Sequence, residues 1–129
     1  MTSSSSTVFE PARHVPVWHE ADICVLGGSC TGLFAAVRAA RLGARVVIIE
    51  KQNCFGGVAT TSLVNAWHSL HDTEHRRRII GGLTAEVMQR LERRGAVRTI
   101  ERNPSFGFIF NSEELKIELD ELALAERVR

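Results

Sequence analysis

ADICVLGGSCTGLFAAVRAARLGARVVIIEK, residues 21–51, decides the fold. Ile23-Cys24-Val25-Leu26 is a short apolar run that stops at Gly27-Gly28, and it reads as a buried strand, with Cys24 as a small core residue. From Thr31 to Leu42 the apolar spacing moves to near 3.6 residues. Leu33, Ala36, Val37 and Ala40 share a face and Gly43 supplies the stop, so this segment is a helix. Arg45 to Glu50 then gives a β-branched, continuously apolar run ending on an acid, the pattern of a parallel strand covered on both faces. Strand, helix and strand in this order make a βαβ unit with a right-handed crossover. The fold class is therefore α/β and Rossmann-like.

The turn inside that unit carries the strongest chemistry. Gly27 allows the chain to leave the strand sharply, and Gly32 lets the helix pack close to the sheet. Between them, backbone N–H groups at the helix N-terminus face an anion, and a pyrophosphate suits such a loop. Glu50 lies 23 positions after Gly27, at the end of the second strand, where a carboxylate accepts both ribose hydroxyls of an adenosine. The same charge repels a 2′-phosphate and so disfavours NADP. The middle glycine of GxGxxG is replaced by Ser29, giving GGSCTG. Two consequences stay open: the hydroxyl donates to the phosphate, or its Cβ pushes the ligand outward. A plain βαβ turn with no ligand is the alternative, but the strand before, the helix after and the acid at the next strand end favour a dinucleotide.

Bulk properties bound the rest. At 129 residues the chain holds one small domain, and a two-domain enzyme does not fit. With 44% hydrophobic and 24% charged residues it has the make-up of an ordinary globular protein. A net charge of +1 argues for neither nucleic acid nor an anionic membrane surface. The most apolar stretch, Ile23 to Val37, contains Gly27, Gly28 and Gly32 and falls short of the roughly 20 apolar residues a spanning helix needs. The opening MTSSSSTVFEPARH lacks the form of a secretory signal. Cys24, Cys30 and Cys54 show no CxxC spacing, which fits reduced thiols and a cytoplasmic setting better than disulfides or zinc. Residues 1–14 read as a flexible Ser-rich leader, and residues 15–129 as the organised part.

Beyond Glu50, residues 51–79 are rich in Gly, Thr, Ser, Asn and His and have no sustained period, as in a ligand loop. Leu83, Val87, Met88 and Leu91 line a helix that stops at Gly95. Phe106, Phe108 and Phe110 alternate in an extended segment. Asn111 with Glu114 forms a capping box opening a last helix, whose Leu115, Leu119 and Leu122 stripe has no evident partner.

Three blocks together resemble the N-terminal part of the FAD-dependent oxidoreductases, flavoproteins of the two-dinucleotide-binding-domain type: VPVWHEADICVLGGSCTG, IIEK, and FGGVATTSLV. NSEELKIELDELALAERV is a softer fourth. The resemblance runs in order from residue 15 to 129 and is loose between Asn65 and Ser105. It implies FAD held without a covalent bond. Its pyrophosphate would lie at Gly27, Gly28, Ser29 and Gly32, with Cys30 and Thr31 in the same loop, its ribose at Glu50, and its adenine end beside Lys51. Gly56, Gly57, Thr60 and Thr61 would run along the ribityl and phosphate portion toward the flavin. Such enzymes move a hydride between a small-molecule substrate and flavin N5. Family members are considerably longer, so the chain reads as a truncated, incomplete first part of an FAD-binding domain, expected to bind FAD weakly or not at all and to be weakly active or inactive alone. Its catalytic residues stay unassigned, and a second copy or a separate subunit is a possible completion.

Other residues carry weaker signals. His68, His71 and His75 would share a face if helical, near Asp72 and Glu74; without a secure helix they read as a polar segment and no metal is assigned. His75-Arg76-Arg77-Arg78 reads as a solvated face. Cys30 at a helix N-terminus is expected to have a lowered pKa. Two rival functions remain: an NAD-binding module, disfavoured because FGGVATTS stands where another helix would begin, and a non-catalytic βαβ fragment packed on a partner.

Overall fold

A computed structural model of the chain describes residues 6–99 and 107–129. Residues 6–21 form no helix or strand. The βαβ unit follows: β1 (Ile23–Leu26), α1 (Cys30–Arg41) and β2 (Val46–Ile49). The strands pair in parallel, Ile23 opposite Val46 and Leu26 opposite Ile49. A single 3-10 turn, Gly57–Ala59, leads to β3 (Ala66–Trp67), α2 (Leu83–Arg93), β4 (Val97–Thr99), β5 (Phe108–Phe110) and α3 (Ser112–Ala125). β3, β5 and β4 form a second, antiparallel sheet with β5 in the middle. The expected extended segment is thus present from Phe108; Phe106 lies outside the described residues. The pattern reading did not include β4.

The core lies where the three helices meet. Leu33 and Val37 of α1, Val87 and Leu91 of α2, and Leu115, Leu119 and Leu122 of α3 are fully buried in one cluster with Phe110. Trp67 caps it, its ring 4.9 Å from that of Phe110. The leucine stripe of α3 therefore does have a partner, contrary to the expectation from sequence. It is covered by α1 and α2, and apolar area at such a seam is worth about 25 cal/mol per Å2.

Both strands of the parallel sheet also differ from expectation. Val25, Val46 and Ile48 join the core on the α1 side. Cys24 and Leu26 are exposed, as is Ile49, because alternate side chains point away from α1 and only one face of a two-stranded sheet is covered. Cys24 is accordingly not a core residue. At the other edge of β2, Ile48 N–H donates to Arg129 O (2.6 Å) and Arg129 N–H to Val46 O (3.1 Å), which puts Arg129 alongside Val47 in parallel register.

The cap of α3 is half of the expected box. Asn111 Oδ1 accepts from Glu113 N–H (2.9 Å) and Glu114 N–H (3.3 Å). Asn111 N–H donates to Ala96 O instead, and the Glu114 carboxylate pairs with Arg94 at 3.3 Å. Arginines bind the helices together outside the core. Arg41 of α1 reaches Glu86 of α2 (2.7 Å) and Glu126 beyond α3 (2.8 Å), while Arg94 pairs with Glu118 and Glu121 of α3.

Candidate cofactor site

Gly27, with φ of +96°, turns the chain out of β1, a conformation that glycine adopts without steric cost. Ser29 caps α1: its Oγ accepts from Gly32 N–H at 3.3 Å. Gly32 passes so close to the turn that a Cβ there would stand 1.9 Å from Gly27 O. Among the described residues no acceptor faces the backbone N–H groups of Ser29, Thr31 and Gly57. The first turn of α1 holds no acid, and its last turn holds Arg38 and Arg41. The N–H groups of Ser29 and Thr31, unpaired among the described residues, lie at the positive end of a 12-residue helix, an arrangement that favours a bound anion. The Ser29 hydroxyl proton has no acceptor among the described residues, so donation to that anion is open to it.

Glu50 stands beside the turn. Its carboxylate accepts from Gly28 N–H (2.5 Å) and from Gln52 N–H (2.8 Å). These two bonds, Gln52 first, hold it below the usual carboxylate range, and the neighbouring Lys51, itself exposed, acts in the same direction. The acid therefore stays ionised and keeps lone pairs for sugar hydroxyls.

The second glycine segment docks on the first. Gly56 N–H donates to Gly28 O at 2.8 Å, Ser29 and Gly56 form a parallel bridge, and the Cys30 thiol donates to Gly56 O at 3.5 Å. Gly57 lies so near that a Cβ on it would come within 3.1 Å of Ser29 Cβ. Thr61 is exposed, with its hydroxyl on Gly57 O (2.8 Å). Thr60, grouped with the cofactor contacts by resemblance, is buried, and its single hydroxyl proton is shared between Phe55 O (2.7 Å) and Gly57 O (3.1 Å). Cys30 also departs from expectation. Burial pushes its thiol up to about 11, outweighing the helix dipole that was to lower it.

Three features were not legible beforehand. The Phe55 ring covers Gly28, where an added Cβ would meet Cδ1 at 2.4 Å. An aromatic residue next to a glycine pair was the available signal. Val58, Leu63 and Val64 form an exposed apolar group just past Gly57, tied by a Val64 N–H to Val58 O bond of 3.0 Å. Leu63 adopts φ of +54°, a strained region for a branched side chain and one often found at functional loops.

The histidines do not assemble. Residues 68–80 are not helical, so the three-and-four spacing loses its meaning. His71 bridges to Arg78 across a short hairpin, and His75 Nδ1 lies 3.4 Å from Ser69 Oγ. Among the described residues no group of three potential ligands is placed to hold a metal. None of the described helices is long and apolar enough to cross a membrane.

A glycine turn on a parallel βαβ unit, an ionised acid at the second strand end and a second glycine segment docked on the turn define a dinucleotide-binding fold of the flavoprotein kind. The profile of the family described as FAD dependent oxidoreductase matches residues 22–129, and the chain belongs to that family, supplying an FAD-binding portion. The chain is 32% identical over 84 residues to the mitochondrial dihydrolipoyl dehydrogenase of Schizosaccharomyces pombe, covering 57% of this chain and 16% of that protein. To the mitochondrial dihydrolipoyl dehydrogenase of Caenorhabditis elegans it is 35% identical over 71 residues, 50% of this chain and 14% of the relative. Its fold is similar to that of THI4 from Thermovibrio ammonificans, with a TM-score of 0.52 at 21% identity over 84% of this chain and 36% of that one.

Proposed function

We propose that the chain binds FAD along the line from Glu50 through the GGSCTG turn to Gly57, and that it serves an oxidoreductase acting on a small-molecule substrate. The observation that carries this reading is the docking of Gly56 on Gly28, which joins the two glycine segments into one continuous strip. Glu50 would accept the ribose hydroxyls, with Lys51 at the adenine end. The N–H groups of Ser29 and Thr31 and the Ser29 hydroxyl would take the diphosphate, while the Gly57 N–H and Thr61 border the path onward toward the ribityl chain. Gly27 and Gly32 bring the turn and the helix start together, and Gly28 holds the Glu50 carboxylate. Cys30 and Thr60 serve by holding the loops. Val58, Leu63 and Val64 offer apolar surface to the ring end.

When bound, the flavin supplies a site at N5 that accepts or returns a hydride. The chain's own share is to hold the anion in fixed amides, orient the sugar on one carboxylate and keep water from the loop junction. That 50–65 contains a single 3-10 turn and no α-helix supports FAD over an NAD module. The exposed Cys24, Leu26 and Ile49 face supports a second copy or a completing subunit. Three free thiols fit a reducing compartment such as the cytoplasm.

Titrating the purified chain with FAD tests the reading. Quenching of flavin fluorescence with a defined midpoint, competed by ADP, is the expected result. A flat titration at millimolar FAD would overturn it.

A further inference from the structure

Resting on the proposed cofactor path, we infer that Cys30 and Thr60 are positioning residues that lock the Gly56 peptide onto the phosphate turn, and that this lock governs the second half of the cofactor alone.

Gly56 is held from several sides. Gly28 O takes its N–H, and the Cys30 thiol donates to its carbonyl oxygen at 3.5 Å. Its φ of +108° and the space around it admit only glycine, since a Cβ would lie 2.5 Å from Thr60 Cγ2, 2.7 Å from Thr60 Oγ1 and 3.1 Å from Leu119 Cδ1. Thr60 shares its one hydroxyl proton between the carbonyls on either side of that peptide, Phe55 O at 2.7 Å and Gly57 O at 3.1 Å, and is only 1% exposed. The Gly57 N–H has no acceptor among the described residues and stays available to a ligand. Buried at 1%, Thr60 has no surface to offer a ligand, so it acts through Gly57. Cys30 is protonated at neutral pH and acts as a donor, not as a nucleophile.

The first half of the site does not depend on this lock. Ser29 is fixed by its cap bond from Gly32 N–H and Glu50 by bonds from Gly28 N–H and Gln52 N–H, none of which involves Thr60. ADP spans that half only, whereas FAD continues along Gly56 and Gly57. The ratio of the two affinities therefore isolates the lock from any general loosening.

The test measures ADP and FAD affinity by calorimetry on the wild-type chain and on Thr60→Val, Thr60→Ser and Cys30→Ala. Thr60→Val is expected to weaken FAD by about fivefold to tenfold, the effect of one lost hydrogen bond, with ADP changed less than about twofold. Thr60→Ser should restore FAD binding, and Cys30→Ala should give a smaller loss of the same kind, since S–H is a weak donor. Equal losses for both nucleotides, or no loss for FAD, would overturn the inference while leaving the cofactor path standing. A wild-type chain that binds neither nucleotide overturns both.

Discussion

Glu50 and Gly28, 22 positions apart, are joined by a 2.5 Å hydrogen bond from the glycine N–H to the carboxylate, so the acid at the end of β2 and the turn after β1 form one unit. The bond fixes the carboxylate rotamer and keeps it charged. The Phe55 ring over Gly28 reinforces the bond, because excluding water from the N–H strengthens its attraction to the carboxylate.

Glu50→Gln keeps an acceptor for Gly28 but removes the charge that ribose hydroxyls donate to. ADP affinity is expected to fall about tenfold. The preference for ADP over its 2′-phosphorylated form should shrink at the same time, because the repelling carboxylate is gone. Paired calorimetric titrations with the two nucleotides check this, and an unchanged preference would remove Glu50 from the sugar site.

Gly32→Ala places a Cβ 1.9 Å from Gly27 O, a backbone atom and not the end of a flexible side chain that could move aside. The expected cost is about 1–3 kcal/mol of stability, with loss of flavin binding before loss of fold. Thermal melting and flavin fluorescence on the same sample separate the two. A variant that melts like wild type and binds FAD normally would contradict the close approach.

Acid should loosen the helix assembly through Glu86. The Arg41 guanidinium, bonded to it at 2.7 and 2.9 Å, holds its carboxyl below the usual range. A lowered folded-state pKa gives stability that is fully present above the unfolded value, about 4.3, and is lost as pH falls through the folded value. Melting temperature is therefore expected to be level from neutral pH down to about 5 and to drop below 4. Asp22, held low by Arg45, adds to the same limb. Arg41→Leu should cost about 1 kcal/mol at pH 7 after allowing for partial solvent screening, and less at pH 3. A constant cost across that range would dismiss the ion pair as its cause.

Thiol labelling should discriminate Cys24 from Cys30. Cys24 is exposed on the open face of the sheet. Cys30, pushed up to about 11, holds at most about one part in a thousand as thiolate at pH 8. Mass spectrometry after brief iodoacetamide treatment is expected to find Cys24 modified and Cys30 intact until denaturant is added. Early loss of Cys30 would show that the contact with Gly56 does not shield it.

Sequence by itself determined the βαβ unit, its glycine turn and the acid that closes it. Those features rest on local constraints: only glycine tolerates the backbone at Gly27 and the contact at Gly32, and β-branched Val46 to Ile49 favour an extended chain. The helix stripes were legible for the same reason, since Leu33 and Val37 or Leu115, Leu119 and Leu122 repeat at helical spacing. What covers a stripe is another matter. Cys24 and Val25 are neighbours of similar apolarity, yet α1 covers Val25 and leaves Cys24 in water, because its placement chose one face of the sheet. Likewise Gly56 meets Gly28 on one side and Leu119 of α3 on another, contacts that bring together three separate segments. Such pairings join segments tens of positions apart, and their energy depends on contacts that no short window of sequence contains.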